Sequence, residues 1–137
     1  MTDQRDALTV FTLLLEAIST DRWDEAADLY AEDCVVDMPF ALPEPVRLVG
    51  QALVRRHFAA AAAGPLSLQV TDPRFHLTAD PEVVIGEFGY DGLIRTTGET
   101  FTVANIQVIR VHAGQIKATR DYHDHARLAQ IGLRLAG

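Results

Sequence analysis

At 137 residues the chain has the size of one compact domain, long enough to bury a substantial core. Its 48% hydrophobic and 23% charged residues exclude a disordered chain, and a formal charge of −7 with scattered basic residues weighs against nucleic acid or an anionic membrane as partner. The single cysteine, Cys34, excludes an intramolecular disulfide and a thiolate zinc site.

In chain order, Leu8, Phe11, Leu15 and Ile18 recur at helical spacing, with Thr2 or Asp3 as the expected N-cap. Asp3, Asp6, Thr12 and Glu16 break this stretch too often for a signal peptide, and no run reaches the roughly 18 apolar residues of a membrane span. A cytoplasmic protein is expected. "DRWDEAADLYAEDC" predicts a second helix presenting Trp23, Ala26, Ala27 and Tyr30 on one face, and the pair forms an αα-hairpin. "CVVDMPF" is a short strand, closed by the stiff loop "PFALPEPVRLVG".

"QALVRRHFAAAAAG" is a third helix between Gly50 and Gly64-Pro65. Beyond it the pattern is β: "LSLQV", "RFHLTA", "EVVIGEFGYDG", "ETFTVANIQVIRVHAG" and "QIKATRDYHD", separated by Asp72-Pro73, Asp80-Pro81, Thr97-Gly98 and Ala113-Gly114. "HARLAQIGLRLAG" closes the chain as a short helix. Helices followed by an antiparallel meander give an α+β domain spanning 1–137, its helices on one face of a curved sheet.

The segment 101–111 places Phe101, Val103, Asn105, Gln107, Ile109 and Val111 on one face and Thr102, Ala104, Ile106, Val108 and Arg110 on the other. A strand with one solvated face alternates more cleanly, so both faces are expected to be covered, the outer one by a second copy in a homodimer.

On a helical wheel His57 lies about 40° from Leu53, inside the apolar arc of Leu53, Val54, Phe58 and Ala61. An imidazole aimed inward is either a hydrogen-bonded core histidine or an acid–base group titrating near neutrality. "DYHDH" concentrates polar residues at 121–125. In an extended strand Thr119, Asp121 and His123 share a face, which is either the outer one, leaving Asp121 to a surface ion pair, or the inner one, where desolvation raises its pKa. Asn105 and Gln107 are amides on an apolar face, serving backbone groups or orienting a ligand. Asp121, His123 and His125 would spread over about 13 Å on one strand, too far for one ion, so no metal is expected. The acidic neighbours of Cys34 disfavour a thiolate.

The order of elements, with "DRWDEAADLYAEDCVVDMPF", "LVGQALVRRHF" and "GQIKATRDYHDHARL", resembles the nuclear-transport-factor-2-like superfamily, in particular its SnoaL-like and ketosteroid-isomerase-like members. The resemblance implies a cone-shaped α+β barrel enclosing an apolar pocket, commonly dimeric. Steroid isomerases of this fold carry an aspartate base, a tyrosine and a protonated aspartic acid where this chain has Met38, Leu15 and Gln107, and Asp37 is offset to the opposite strand face. Epoxide-hydrolase-like members use an Asp-Arg-Asp set, of which Asp121 matches the last residue while Asn105 and Gln107 replace the others. SnoaL-like cyclases use an aspartate on the last strands, matched by Asp121. Phenazine biosynthesis proteins A and B are similar around "GQALVRRHF" and "TRDYHD", where His57 and Asp121 match their cofactor-free acid–base pair, with Asp in place of Glu.

The combined expectation is a cofactor-independent and metal-free enzyme on a small apolar carbonyl compound, with Asp121 and His57 catalytic. Asn105, Gln107 and His123 are expected to position the substrate, and Trp23, Met38, Phe40, Phe58, Phe88 and Tyr90 to form apolar walls. The alternative is a non-catalytic ligand-binding or dimerisation module of the same fold.

Overall fold

A computed structural model describes the backbone over residues 5–136 and the side chains over 5–132. Asp6 opens the first helix, α1 (Ala7–Ser19), by accepting a 2.8 Å hydrogen bond from the Thr9 amide; the residues first expected to cap it, Thr2 and Asp3, lie outside the described residues. Of the expected stripe Phe11, Leu15 and Ile18 are buried and Leu8 is half-buried, while Val10 and Leu14 join the buried face. The second helix, α2 (Trp23–Asp28), is shorter than expected, and Tyr30 opens strand β1 (Tyr30–Met38) instead of continuing the helix. Pairing decides this: the Ile116 amide bonds to the Leu29 carbonyl at 2.9 Å, and Tyr30 registers against Ile116.

The Pro-rich loop is followed by a short edge strand, β2 (Val46–Val49), that the sequence reading assigned to loop. Gly50, at φ +96°, turns the chain into α3 (Gln51–Ala63). The remaining strands are β3 (Leu66–Leu77), β4 (Val83–Ile94), β5 (Thr100–His112) and β6 (Gln115–His123), with α4 (His125–Ala136) after them. The expected break at Asp72-Pro73 is a bulge inside one continuous strand: Asp72 takes φ +48° and pairing shifts between Thr71 and Arg74. Proline is tolerated there because β3 is an edge strand and a bulge needs no ladder bond at that position.

The described strands form one six-stranded sheet in the order β2-β1-β6-β5-β4-β3, antiparallel throughout except for the parallel pair β1/β6. On β5, Phe101, Val103, Asn105, Gln107, Ile109 and Val111 are buried while Thr102, Ala104, Ile106 and Arg110 are exposed. The helices cover the concave face, and within a single chain the outer face remains open to solvent.

One half of that concave face is packed dry. Phe11 meets Phe75 edge-on at 5.1 Å and Phe88 at 6.3 Å. It also rests on Gly86, where an added Cβ would come within 2.5 Å of the ring. The other half, bounded by α2, α3, β1 and β6, is hollow.

Candidate functional site

The hollow is an apolar cavity of about 320 Å³, at the small end of the roughly 300–1,000 Å³ typical of small-molecule sites. Two grooves on the outer sheet face are larger, at about 580 and 790 Å³, but they are more open and lie over exposed strand positions.

Strand alternation delivers the polar groups. Asp121 and Gln107 are a cross-strand pair on the inward face of β6 and β5, and both line the cavity. Asp121 is 6% exposed, and burial pushes its carboxyl from 3.8 up to about 6. Thr119 and Gln107 pull it part of the way back and Asp37 adds a small upward push. Neither neighbour satisfies it fully, since Asp121 Oδ1 and Thr119 Oγ1 are both buried without a hydrogen-bond partner. A buried carboxyl left so poorly paired costs stability, which marks the position as something other than a structural anchor.

His57 reaches the same cavity from α3. Its ring lines the wall beside Phe58, at 6.0 Å between centroids, while much of the side chain meets solvent at the rim. Desolvation lowers its pKa, so it is neutral at neutral pH. The wheel aimed His57 inward; the ring reaches the cavity but only from an exposed position at its rim, Leu53 is 38% exposed, and only Val54 of that arc is fully buried.

Trp23, Met38, Phe58, Tyr90 and His123 line the cavity as expected. Trp23 and Tyr30 clamp Phe58 at 5.6 and 5.8 Å. Three expected residues are elsewhere. Phe40 is 63% exposed and stacks on Tyr122 at 5.4 Å, because it follows the inward-facing Met38 in a turn that has left the sheet. Phe88 packs behind the wall, with Phe11, Tyr90 and His123 as ring neighbours. Asn105, between Phe88 and His123 in the strand register, is buried beyond the cavity lining, its Nδ2 3.5 Å from the Val103 carbonyl.

Tyr30 and His125 are lining residues that sequence reasoning missed. Tyr30 was hidden by its assignment to a helix. Its phenol is pushed well up by burial, then by the Asp121 charge, with Gln107 pulling it part of the way back. Gln51 pins its backbone, donating to the Tyr30 carbonyl at 2.8 Å. His125 starts α4, as expected of the helix start, and turns its ring back over the cavity while Asp124 caps the helix, accepting from the Arg127 amide at 3.0 Å. Asp37 faces outward in an ion pair with Arg47 at 2.7 Å, as the one-residue offset predicts. Cys34 is fully buried within β1, and burial, more than its neighbour Asp33, pushes its thiol up.

Among the described residues no group of three His, Cys, Asp or Glu side chains is arranged to hold a metal ion. No helix among them is long and apolar enough to cross a membrane.

Comparison with known proteins agrees with this architecture. An uncharacterized PhzA/B-like protein of Pseudomonas aeruginosa is 33% identical over 101 residues, covering 73% of this chain and 71% of that protein. A proposed isomerase of Bacillus subtilis superposes with a TM-score of 0.83 at 25% identity, covering 90% of each chain. A proposed polyketide cyclase of Xanthomonas campestris pv. campestris superposes at 0.78 with 21% identity, covering 91% of this chain and 96% of its own. Residues 11–119 match the SnoaL-like domain, and by that match and that fold the chain belongs to the SnoaL-like family of nuclear-transport-factor-2-like proteins.

Proposed function

We propose that this protein is a cofactor-independent acid–base enzyme of the cytoplasm, an isomerase, cyclase or condensation catalyst acting on a small, largely apolar carbonyl compound. The observation that carries this reading is the poorly paired Asp121 carboxyl on the wall of an apolar cavity that His57 also lines. A carboxyl titrating near 6 exchanges protons with a carbon acid more evenly than one at 3.8. The kinds of activity proposed for the Bacillus and Xanthomonas neighbours belong to the same chemistry.

In this scheme ionised Asp121 takes the proton from the carbon next to the substrate carbonyl, and the C–H electron pair becomes an enolate. Neutral His57 donates an N–H hydrogen bond to the enolate oxygen. Isomerisation follows if Asp121 returns its proton to a different carbon. Ring closure follows if the enolate carbon attacks a second carbonyl, whose oxygen then takes the proton. Gln107 and Tyr30 orient the substrate, and Trp23, Met38, Phe58 and Tyr90 exclude water.

Exchange of the α-protons of 2-tetralone into deuterated water, followed by NMR, tests the reading without the natural substrate. The protein is expected to accelerate exchange over buffer, and Asp121→Asn to remove roughly 10²–10⁴-fold of that acceleration. Exchange at the buffer rate with the intact protein, or unchanged in Asp121→Asn, overturns it in favour of a binding module.

The open outer sheet face, with Ile106 at 42% exposure, supports a homodimer in which a second copy covers β5. Sedimentation of Ile106→Glu as monomer, against dimer for the parent, is the expected result.

A further inference from the structure

Thr119 carries a hydroxyl where packing alone would be served by a methyl. It is 2% exposed and does not line the cavity, and its cross-strand neighbours, Ile109 on β5 and Val36 on β1, are both buried and apolar. Valine has nearly the same shape and would leave nothing polar in that slot. Thr119 Oγ1 has no hydrogen-bond partner, and an unmet hydroxyl in such surroundings is destabilising.

A second atom on the same strand face is in the same condition. Thr119 and Asp121 are successive inward positions on β6, about 7 Å apart along the strand. Asp121 Oδ1 is sealed from solvent and unpaired, although Asp121 itself lines the cavity. We infer that Thr119 is a positioning residue for Asp121: its hydroxyl holds Oδ1 inside the wall, so that Oδ2 is the oxygen presented to the ligand. The inference rests on the reading of Asp121 as the proton carrier.

In that reading Asp121 alternates between carboxylate and carboxylic acid, and its partner has to serve both forms. A hydroxyl does so, donating to the carboxylate and, after rotation about its C–O bond, accepting from the acid. The bond to the carboxylate is charge-assisted and therefore the stronger, so on balance the hydroxyl favours the ionised form. Of the groups that draw Asp121 toward ionisation, Thr119 accordingly comes first, ahead of Gln107. None of the others around the carboxyl supplies a charge that could replace it. Gln107, opposite on β5, is an amide, and burial raises the phenols of Tyr30 on β1 and Tyr90 on β4, which stay uncharged. Burial lowers the imidazoles of His57 on α3, His123 on β6 and His125 on α4. Asp37 faces outward in its pair with Arg47 and opposes ionisation slightly.

The test is titration of Asp121 between pH 4 and 8 by carbon NMR of carboxyl-labelled aspartate, its signal being the one absent from Asp121→Asn. Two pairs of proteins differ by the hydroxyl: the parent against Thr119→Val, and Thr119→Ser against Thr119→Ala. Loss of the hydroxyl is expected to raise the Asp121 pKa by on the order of one unit in both pairs, with Thr119→Ser close to the parent. In 2-tetralone exchange the acidic limb of the pH profile moves up by the same interval. There kcat falls about tenfold with KM little changed, and serine restores what valine loses. A role in packing alone gives the reverse order, valine close to the parent and serine impaired, and defeats the inference. So does an Asp121 titration that the hydroxyl moves in neither pair. The titration needs no turnover, whereas exchange at the buffer rate by the parent sinks only the acid–base reading, so the two fail separately.

Discussion

The two halves of the concave sheet face are built from the same strands and behave oppositely. In the dry half the central ring, Phe11, is seated on Gly86 between Phe75 and Phe88. In the hollow half the same alternation delivers Asp121, Gln107 and His123 to a cavity that no side chain fills. The difference teaches that tight packing and cavity formation are partitioned along the strands. The dry half supplies surplus packing energy that lets poorly paired polar groups persist in the hollow one.

The sharpest way to break the comparison is on the dry side. Phe11→Ala is expected to lose about 3–5 kcal/mol in urea denaturation, as removal of a fully buried aromatic does. A smaller loss would mean that the dry half is not the anchor.

Asp121 tests the hollow side with the opposite sign. Its folded pKa is raised from 3.8 to about 6, so both states are protonated below pH 4. Between 4 and 6 the unfolded chain ionises first, and stability falls by on the order of 2–3 kcal/mol before levelling off. Asp121→Asn is expected to abolish that decline in the pH dependence of denaturation, making the variant more stable than the parent at pH 7. A parent profile that is flat from pH 4 to 6 would show the carboxyl to be well solvated.

Gly86→Ala sharpens the picture, since the added methyl meets a ring held on two sides by other aromatics; a loss of about 1–3 kcal/mol in thermal unfolding is expected. The smallest effect is assigned to His57→Ala. With its side chain at the rim, it should change stability by no more than about 0.5 kcal/mol while impairing tetralone exchange.

Much of this partition was legible in the amino-acid order. The segment 101–111 divided into two faces without saying which was solvated, and the spacing from Thr119 to His123 put Asp121 and His123 on one face; pairing of β6 with β5 is what turns that face inward. Helical periodicity aimed His57 at the cavity from a separate element. What failed was local propensity overridden by pairing. Tyr30 continues a helical pattern, yet the parallel contact with Ile116 recruits it into β1. Val46–Val49 reads as loop because its prolines precede it, yet it pairs antiparallel with β1 over four residues. Phe40 reads as strand by composition, and the turn after Met38 swings it outward. His125 was placed at the helix start, but strand alternation ends at His123 and says nothing of where the next ring points.

The parallel pairing of β1 with β6 also governs when the protein becomes itself. β6 sits between β1 and β5 in the sheet, so until Gln115–His123 has been synthesised the β1–β2 pair and the β3–β4–β5 meander have no strand in common. The segment that joins them is the one bearing Asp121 and His123. A nascent chain on the ribosome therefore has two sheet fragments without a common strand, and a single late event closes the architecture and brings Asp121 and His123 to the cavity together. Such long-range closure is intrinsically slow.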